Sequence, residues 1–149
     1  MKQKCMLDTS FLYKLFIEKK IEILDALEKY EIYTIPNVLE ELCYKIMMEI
    51  IAKKKNTNKF YELKSFFERG VCEDEIKMLF HSINLVKENI IVLELNEEIF
   101  DLAKEISIKY KLLPNDALTA ATCKYYGISK IATFDDDFER VDFLEVVKV

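Results

Sequence analysis

Hydrophobic residues along this chain follow two periods. Short apolar runs of strand length, rich in Ile, Val, Tyr and Thr, occur at "CMLDTS" (5–10), "EIYTIP" (31–36), "IIVLEL" (90–95), "KIATF" (130–134) and "LEVVKV" (144–149). Between them apolar residues recur every three or four positions, the helical period. They do so in "SFLYKLFIEKK", "IEILDALEKY", "NVLEELCYKIMMEIIAKKK", "NTNKFYELKSFFERG", "EDEIKMLFHSINLVKEN", "EEIFDLAKEISIKYK" and "LPNDALTAATCKYYG". The punctuation fits. Pro36 ends the second strand and opens a helix, Asn96 caps another, and Gly70 and Gly127 stop two more. Strands alternating with helices predict an α/β fold, with a mainly parallel sheet of four or five strands covered on both faces.

A chain of 149 residues that is 51% hydrophobic and 33% charged has the profile of one globular domain with a single sizeable core. Two Gly and two Pro leave little for linkers, so residues 1–149 are expected to be one unit, with an extended helical section at about 53–89. The formal net charge of -5 means that nucleic acid or anionic lipid is repelled by the molecule as a whole. A nucleic-acid partner therefore needs a local basic patch or bridging cations. No uninterrupted apolar segment reaches bilayer length, and the N-terminus turns acidic before a signal-peptide core forms, so no membrane association and a cytoplasmic location are expected.

Cys5, Cys43, Cys72 and Cys123 are too widely spaced for a zinc site and read as free thiols. His81 is the only histidine, which removes Ser-His-Asp and Cys-His chemistry unless His81 itself is the base. Its helical neighbours make it a core or surface residue instead.

Acids remain. Ligands of open parallel sheets bind beyond the carboxyl ends of the strands. Asp8 ends the first strand, Asp135, Asp136 and Asp137 follow the fourth, Asp116 lies in the first turn of the helix before it, and Glu41 lies one turn into the helix after the second. Each has an ordinary explanation: a helix cap worth about 1 kcal/mol for Asp8, a helix-dipole partner worth roughly 0.3–1 kcal/mol for Asp116, a solvated turn for the aspartate run. Glu40 and Glu41 lie about 100° apart around a helix, so only one can face the strand ends, and spacing does not choose between them. Together the ordinary explanations fare worse, because acids gathered from separate segments repel and raise each other's pKa. A hard divalent cation such as Mg²⁺ or Mn²⁺ offsets that cost.

In order along the chain, "MLDTS", "PNVLEEL", "LPNDALTAAT" and "IATFDDDFERV" resemble the motifs of the PIN domain family, which includes VapC-type toxins and standalone nucleases. The resemblance implies a three-layer α/β/α fold and an acidic, metal-binding catalytic centre of Asp8, Glu41, Asp116 and Asp135, with Asp137 as a secondary acid. Glu41 is preferred to Glu40 because the family's acid stands immediately before a Leu, here Leu42. Ser10, Asn115 and Thr133 match polar positions that support the acids by hydrogen bonds, while Asp136 matches no family role.

The implied reaction is endonucleolytic hydrolysis of RNA with Mg²⁺ or Mn²⁺, leaving 5′-phosphate and 3′-hydroxyl ends. An antitoxin partner and a homodimer are implied as well. The helical section at 53–89 departs from compact toxins by being longer. Its basic cluster, Lys53, Lys54, Lys55 and Lys59, stands beside Phe60 and Tyr61 and is a candidate RNA contact, against the ordinary reading of a lysine-rich helix end. The rival readings are an RNA- or protein-binding module without turnover and, last, a phosphotransferase using Asp8 as nucleophile. The latter would want a second acid where Ser10 stands.

Overall fold

In the computed structural model, which describes residues 1–19 and 22–147, five strands form one sheet. They are β1 (Gln3–Leu7), β2 (Tyr30–Thr34), β3 (Ile91–Val92), β4 (Lys130–Ala132) and β5 (Glu145–Val146), in the order β3-β2-β1-β4-β5, and every neighbouring pair is parallel. Seven helices are described: α1 (Thr9–Ile17), α2 (Glu22–Asp25), α3 (Pro36–Lys55), α4 (Phe60–Glu68), α5 (Glu73–Lys87), α6 (Glu97–Tyr110) and α7 (Pro114–Tyr126). Among the described residues no helix is long and apolar enough to cross a membrane.

The central strand explains why the first apolar run lacks alternation. Cys5, Met6 and Leu7 are all buried, as a strand covered on both faces requires. Right-handed crossovers put α1 and α3–α5 on one face, along the path from β1 to β3, and put α6 and α7 on the other, along the return to β4. The packing agrees: α3 packs against α1, α4 and α5, and α6 packs against α7. The first layer buries Phe11, Leu12, Leu42 and Ile46. The second buries Ile99, Ala103 and Ile106 of α6 and Ala117, Ala120 and Ala121 of α7, and the two helices pack on each other. The fold is the three-layer α/β/α arrangement that the pattern and resemblance imply.

Several elements are shorter than the pattern predicts, β3 and α2 among them. β3 has two residues instead of six because its partner runs out: Val92 pairs with Thr34, one further bond joins Leu93 N–H to the Thr34 carbonyl, and Pro36 then begins α3. The second helical pattern, "IEILDALEKY", gives only the turn of α2, because the chain must enter β2 at Tyr30. Ile23 and Leu27 remain buried, so the apolar spacing is satisfied by a turn and a bend. Lys20, Ile21, Lys148 and Val149, on which parts of three expected elements fall, lie outside the described residues.

The section at 53–89 comprises the end of α3 with α4 and α5, and it carries its own small core of Ile51, Leu63 and Ile76. Gly70 closes α4 as expected. It takes φ +83°, its N–H reaches the Phe67 carbonyl, and the N–H of Val71 reaches that of Phe66. Asn96 caps α6, its Oδ1 accepting the N–H of Ile99 at 2.9 Å.

Strand order places the functional edge. The chain leaves β1 toward β2 on one side, while β4 lies on the other, so the order reverses between β1 and β4 and opens a crevice at their carboxyl ends. A 3₁₀ turn, Asp136–Arg140, follows β4 and is anchored by Phe138, which is fully buried. Phe138→Ala is expected to destabilise the protein by about 3–5 kcal/mol in urea unfolding, the cost of emptying an aromatic site in a packed core.

Candidate active site

Sheet register brings the first two site residues together. Leu7 pairs with Ala132, so Asp8 and Thr133 emerge side by side, and the Asp8 N–H donates to the Ala132 carbonyl at 3.1 Å. Asp8 stands at the N-cap position of α1 with extended backbone, yet its side chain makes no capping bond. Its Oδ2 instead accepts the Thr133 hydroxyl at 2.8 Å and the Ser10 hydroxyl at 2.9 Å. Those two oxygens also accept backbone N–H groups of the next acidic segment: Asp135 N–H reaches Thr133 Oγ1 at 3.0 Å, and Phe134 N–H reaches Ser10 Oγ at 2.9 Å. The hydroxyls therefore tie the acid of β1 to the acids that follow β4. Asp8 is 4% exposed, and burial raises its carboxyl above the usual range, an effect that the two hydroxyls oppose.

Three further carboxylates converge. Asp116 in the first turn of α7, Asp135 and Asp137 each offer an oxygen, and these three atoms lie within 4.8 Å of one another. Asp135 caps the 3₁₀ turn, its Oδ1 accepting the N–H of Asp137 at 2.9 Å. Arg140 Nη1 donates to Asp137 Oδ1 at 2.9 Å. On the other side Glu41 closes the group. Its Oε2 accepts Asn115 Nδ2 at 2.5 Å, and its Oε1 pairs with Lys45 at 3.1 Å. Glu40 is exposed, so helix phase turns Glu41, and not its neighbour, toward α7.

The electrostatic result is concentrated on Asp116, whose carboxyl is pushed up to about 7. Burial is the largest cause, followed by the charges of Asp8, Asp135, Glu41 and Asp137. A set made entirely of carboxylate oxygens, closely spaced and mutually repelling, fits a hard divalent cation and does not suit a soft, thiolate-seeking one. Asp116, Asp135 and Asp137 are the residues spaced to share such an ion, with Asp8 and Glu41 adding charge beside them.

Other residues fall elsewhere. Asp136 is exposed, in keeping with a solvated turn, and His81 is exposed on α5. Lys53, Lys54 and Lys55 form the last turn of α3, and Lys53 lies about 18 Å along the helix axis from Glu41. Lys53 pairs with Glu49 at 3.1 Å, Lys55 stacks on the Phe66 ring, and Lys59 is the N-cap residue of α4. The structure does not bring this cluster to the acids. Sequence reasoning passed over Arg140, for which the available signal was a base three residues after Asp137 on a turn.

Because folded Asp116 holds its proton to about pH 7 while an unfolded aspartate releases it near about 4, the folded state binds more protons in between, and stability falls as pH rises through that window. In metal-free protein the melting temperature of wild type relative to Asp116→Asn is expected to decline between about pH 4 and about pH 7. A flat difference would contradict the raised carboxyl.

Comparison with known proteins matches residues 5–144 to the PIN domain. The ribonuclease VapC6 of Methanocaldococcus jannaschii is 38% identical over 155 residues, covering 95% of each chain, and the ribonuclease VapC2 of the same organism is 35% identical over 130 residues, covering 87% of this chain and 84% of that one. Two solved structures share the fold. Mycobacterium tuberculosis VapC20, a sarcin-ricin loop cleaving toxin, has a TM-score of 0.65 at 19% identity over 97% of this chain and 100% of its own. A chain of a toxin-antitoxin complex from Klebsiella pneumoniae has a TM-score of 0.64 at 18% identity over 97% of both chains. With a family match spanning nearly the whole chain and relatives above one-third identity along most of it, the chain belongs to the PIN domain family.

Proposed function

We propose that this protein is a metal-dependent endoribonuclease that hydrolyses RNA phosphodiester bonds and acts as the toxin of a toxin–antitoxin pair. The observation that carries the reading is the convergence of carboxylates from four chain segments at the point where strand order reverses. RNA is the favoured substrate because both curated relatives named above are ribonucleases.

Asp116, Asp135 and Asp137 would hold Mg²⁺ or Mn²⁺, which when bound supplies Lewis-acid polarisation of the scissile phosphate and neutralises its charge. Ser10 and Thr133 hold the Asp8 carboxylate in one orientation through its Oδ2. Asn115 fixes Glu41 against the start of α7, so the helix that carries Asp116 cannot shift without losing that bond. No side-chain nucleophile is needed, in keeping with the exposed position of His81. The bare cluster would repel an RNA phosphate, so substrate and cation are expected to bind together.

RNA contact beyond the scissile phosphate is assigned to Lys53, Lys54, Lys55 and Lys59, with the exposed rings of Phe60 and Tyr61 beside them. For a protein partner, the supporting features are the toxin-antitoxin complexes among structures of this fold and an apolar groove of about 460 Å³ bordered by Asn37, Phe100, Ile108 and Asn115. An antitoxin segment or a second copy of the chain would cover it.

Cleavage of a panel of structured and single-stranded RNAs with Mg²⁺ or Mn²⁺ tests the central reading. Asp8→Asn and Asp116→Asn are expected to lower the rate on the order of 100-fold or more, and EDTA to abolish it. On the same RNAs, replacing the four lysines with Ala is expected to weaken affinity and flatten its salt dependence, leaving metal uptake unchanged. A folded, metal-loaded protein that binds RNA without cleaving it would instead favour the binding module or an unmet substrate requirement.

A further inference from the structure

We propose that Arg140 is a positioning residue for the cation site: it sets the separation between the two chain segments that carry the three clustered acids. The proposal rests on the reading that Asp116, Asp135 and Asp137 hold a cation. Its basis is the grip of a single guanidinium. Nη1 donates to Asp137 Oδ1 at 2.9 Å, Nε to the Tyr110 carbonyl at 2.9 Å, and Nη2 to the Lys111 carbonyl at 2.7 Å.

Those carbonyls belong to a specific place. Tyr110 is the last residue of α6 and Lys111 is its C-cap, held in the left-handed conformation at φ 58°. The last carbonyls of a helix have no partner within it and carry the negative end of its dipole, so a cation satisfies them well. A few residues later Asp116 stands in the first turn of the next helix, α7. Arg140 thus holds Asp137 with one nitrogen and, with two others, the segment that leads into Asp116.

Two consequences follow from the chemistry of the group. Three acceptors in fixed directions suit the planar fork of arginine, whereas an ammonium would supply the charge without the geometry. The bond from Arg140 to Oδ1 fixes the orientation of the Asp137 carboxylate, and carboxylate ligands held by such outer partners bind metal more tightly. Charge alone would act in the opposite direction, because a guanidinium beside the site repels a divalent ion. The sign of the change in metal affinity therefore separates positioning from simple charge.

The same two segments carry a second tie that touches none of the clustered acids. The Tyr110 hydroxyl donates to Asp142 Oδ1 at 2.6 Å. Tyr110→Phe removes this tie and leaves Arg140 in place, so it reports what mere stapling of the segments contributes.

The test is Mn²⁺ binding to the full chain, measured by calorimetry and by the electron paramagnetic resonance spectrum of the bound ion, with circular dichroism to verify folding. Wild type, Arg140→Ala, Arg140→Lys and Tyr110→Phe are compared. Both Arg140 variants are expected to bind Mn²⁺ about tenfold more weakly or worse, with an altered spectrum, and Tyr110→Phe to bind as wild type does. Should Arg140→Ala not fold, Arg140→Lys carries the same comparison. Wild-type binding together with unchanged or tighter binding by the Arg140 variants would overturn the positioning role alone. Failure of the wild type to take up Mn²⁺ would overturn the cation reading, and this proposal with it.

Discussion

Mutual repulsion among carboxylates is the constraint on which the rest of this structure depends. A parallel sheet whose strand order reverses between β1 and β4 opens a crevice there, and the chain fills it with acids from β1, α3, α7 and the turn after β4. Left alone, that arrangement disfavours the folded state, as the carboxyl of Asp116 records, raised first by burial and then by the charges of the neighbouring acids. The surrounding bonds counter it with directed donors: two hydroxyls on Asp8, an amide on Glu41, a guanidinium on Asp137. None of these donors bonds to Asp116, among the hydrogen bonds of the described residues.

The donors also explain how a small domain keeps the site rigid. Thr133 and Ser10 each contact Asp8 and a backbone N–H of the segment after β4, so the two strands that flank the crevice are joined above the sheet. Asn115 joins α3 to α7, which lie on opposite faces of the sheet, and Arg140 joins the 3₁₀ turn to the end of α6. Buried Phe138 holds that turn from below. Fold and site are therefore coupled: the layers carry the acids to the edge, and polar ties cross between layers there.

Much of this was legible in the chain. Short apolar runs with acids at their ends are enough to place Asp8 and Asp135, because a parallel sheet sends every strand end to the same side. Asp116 was legible from Pro114 and the helix it opens. What periodicity could not settle depends on three-dimensional phase. Glu40 and Glu41 differ only in rotation about α3, and the choice falls to Glu41 through a contact with Asn115, 74 positions away. The role of Arg140 was hidden for the same reason, since its carbonyl partners lie 29 and 30 positions back along the chain. β3 was overestimated because strand length is set by the partner, and β2 yields to Pro36 after a few residues.

The claim that converging acids await a cation is most directly tested by a carbon-detected NMR titration of the Asp116 carboxyl, without and with Mg²⁺. A midpoint near 7 in the metal-free protein, falling well below that when Mg²⁺ is present, is the expected result. An ordinary carboxylate midpoint near about 4 that Mg²⁺ does not move would contradict it, because it would mean that the acids neither crowd one another nor share an ion.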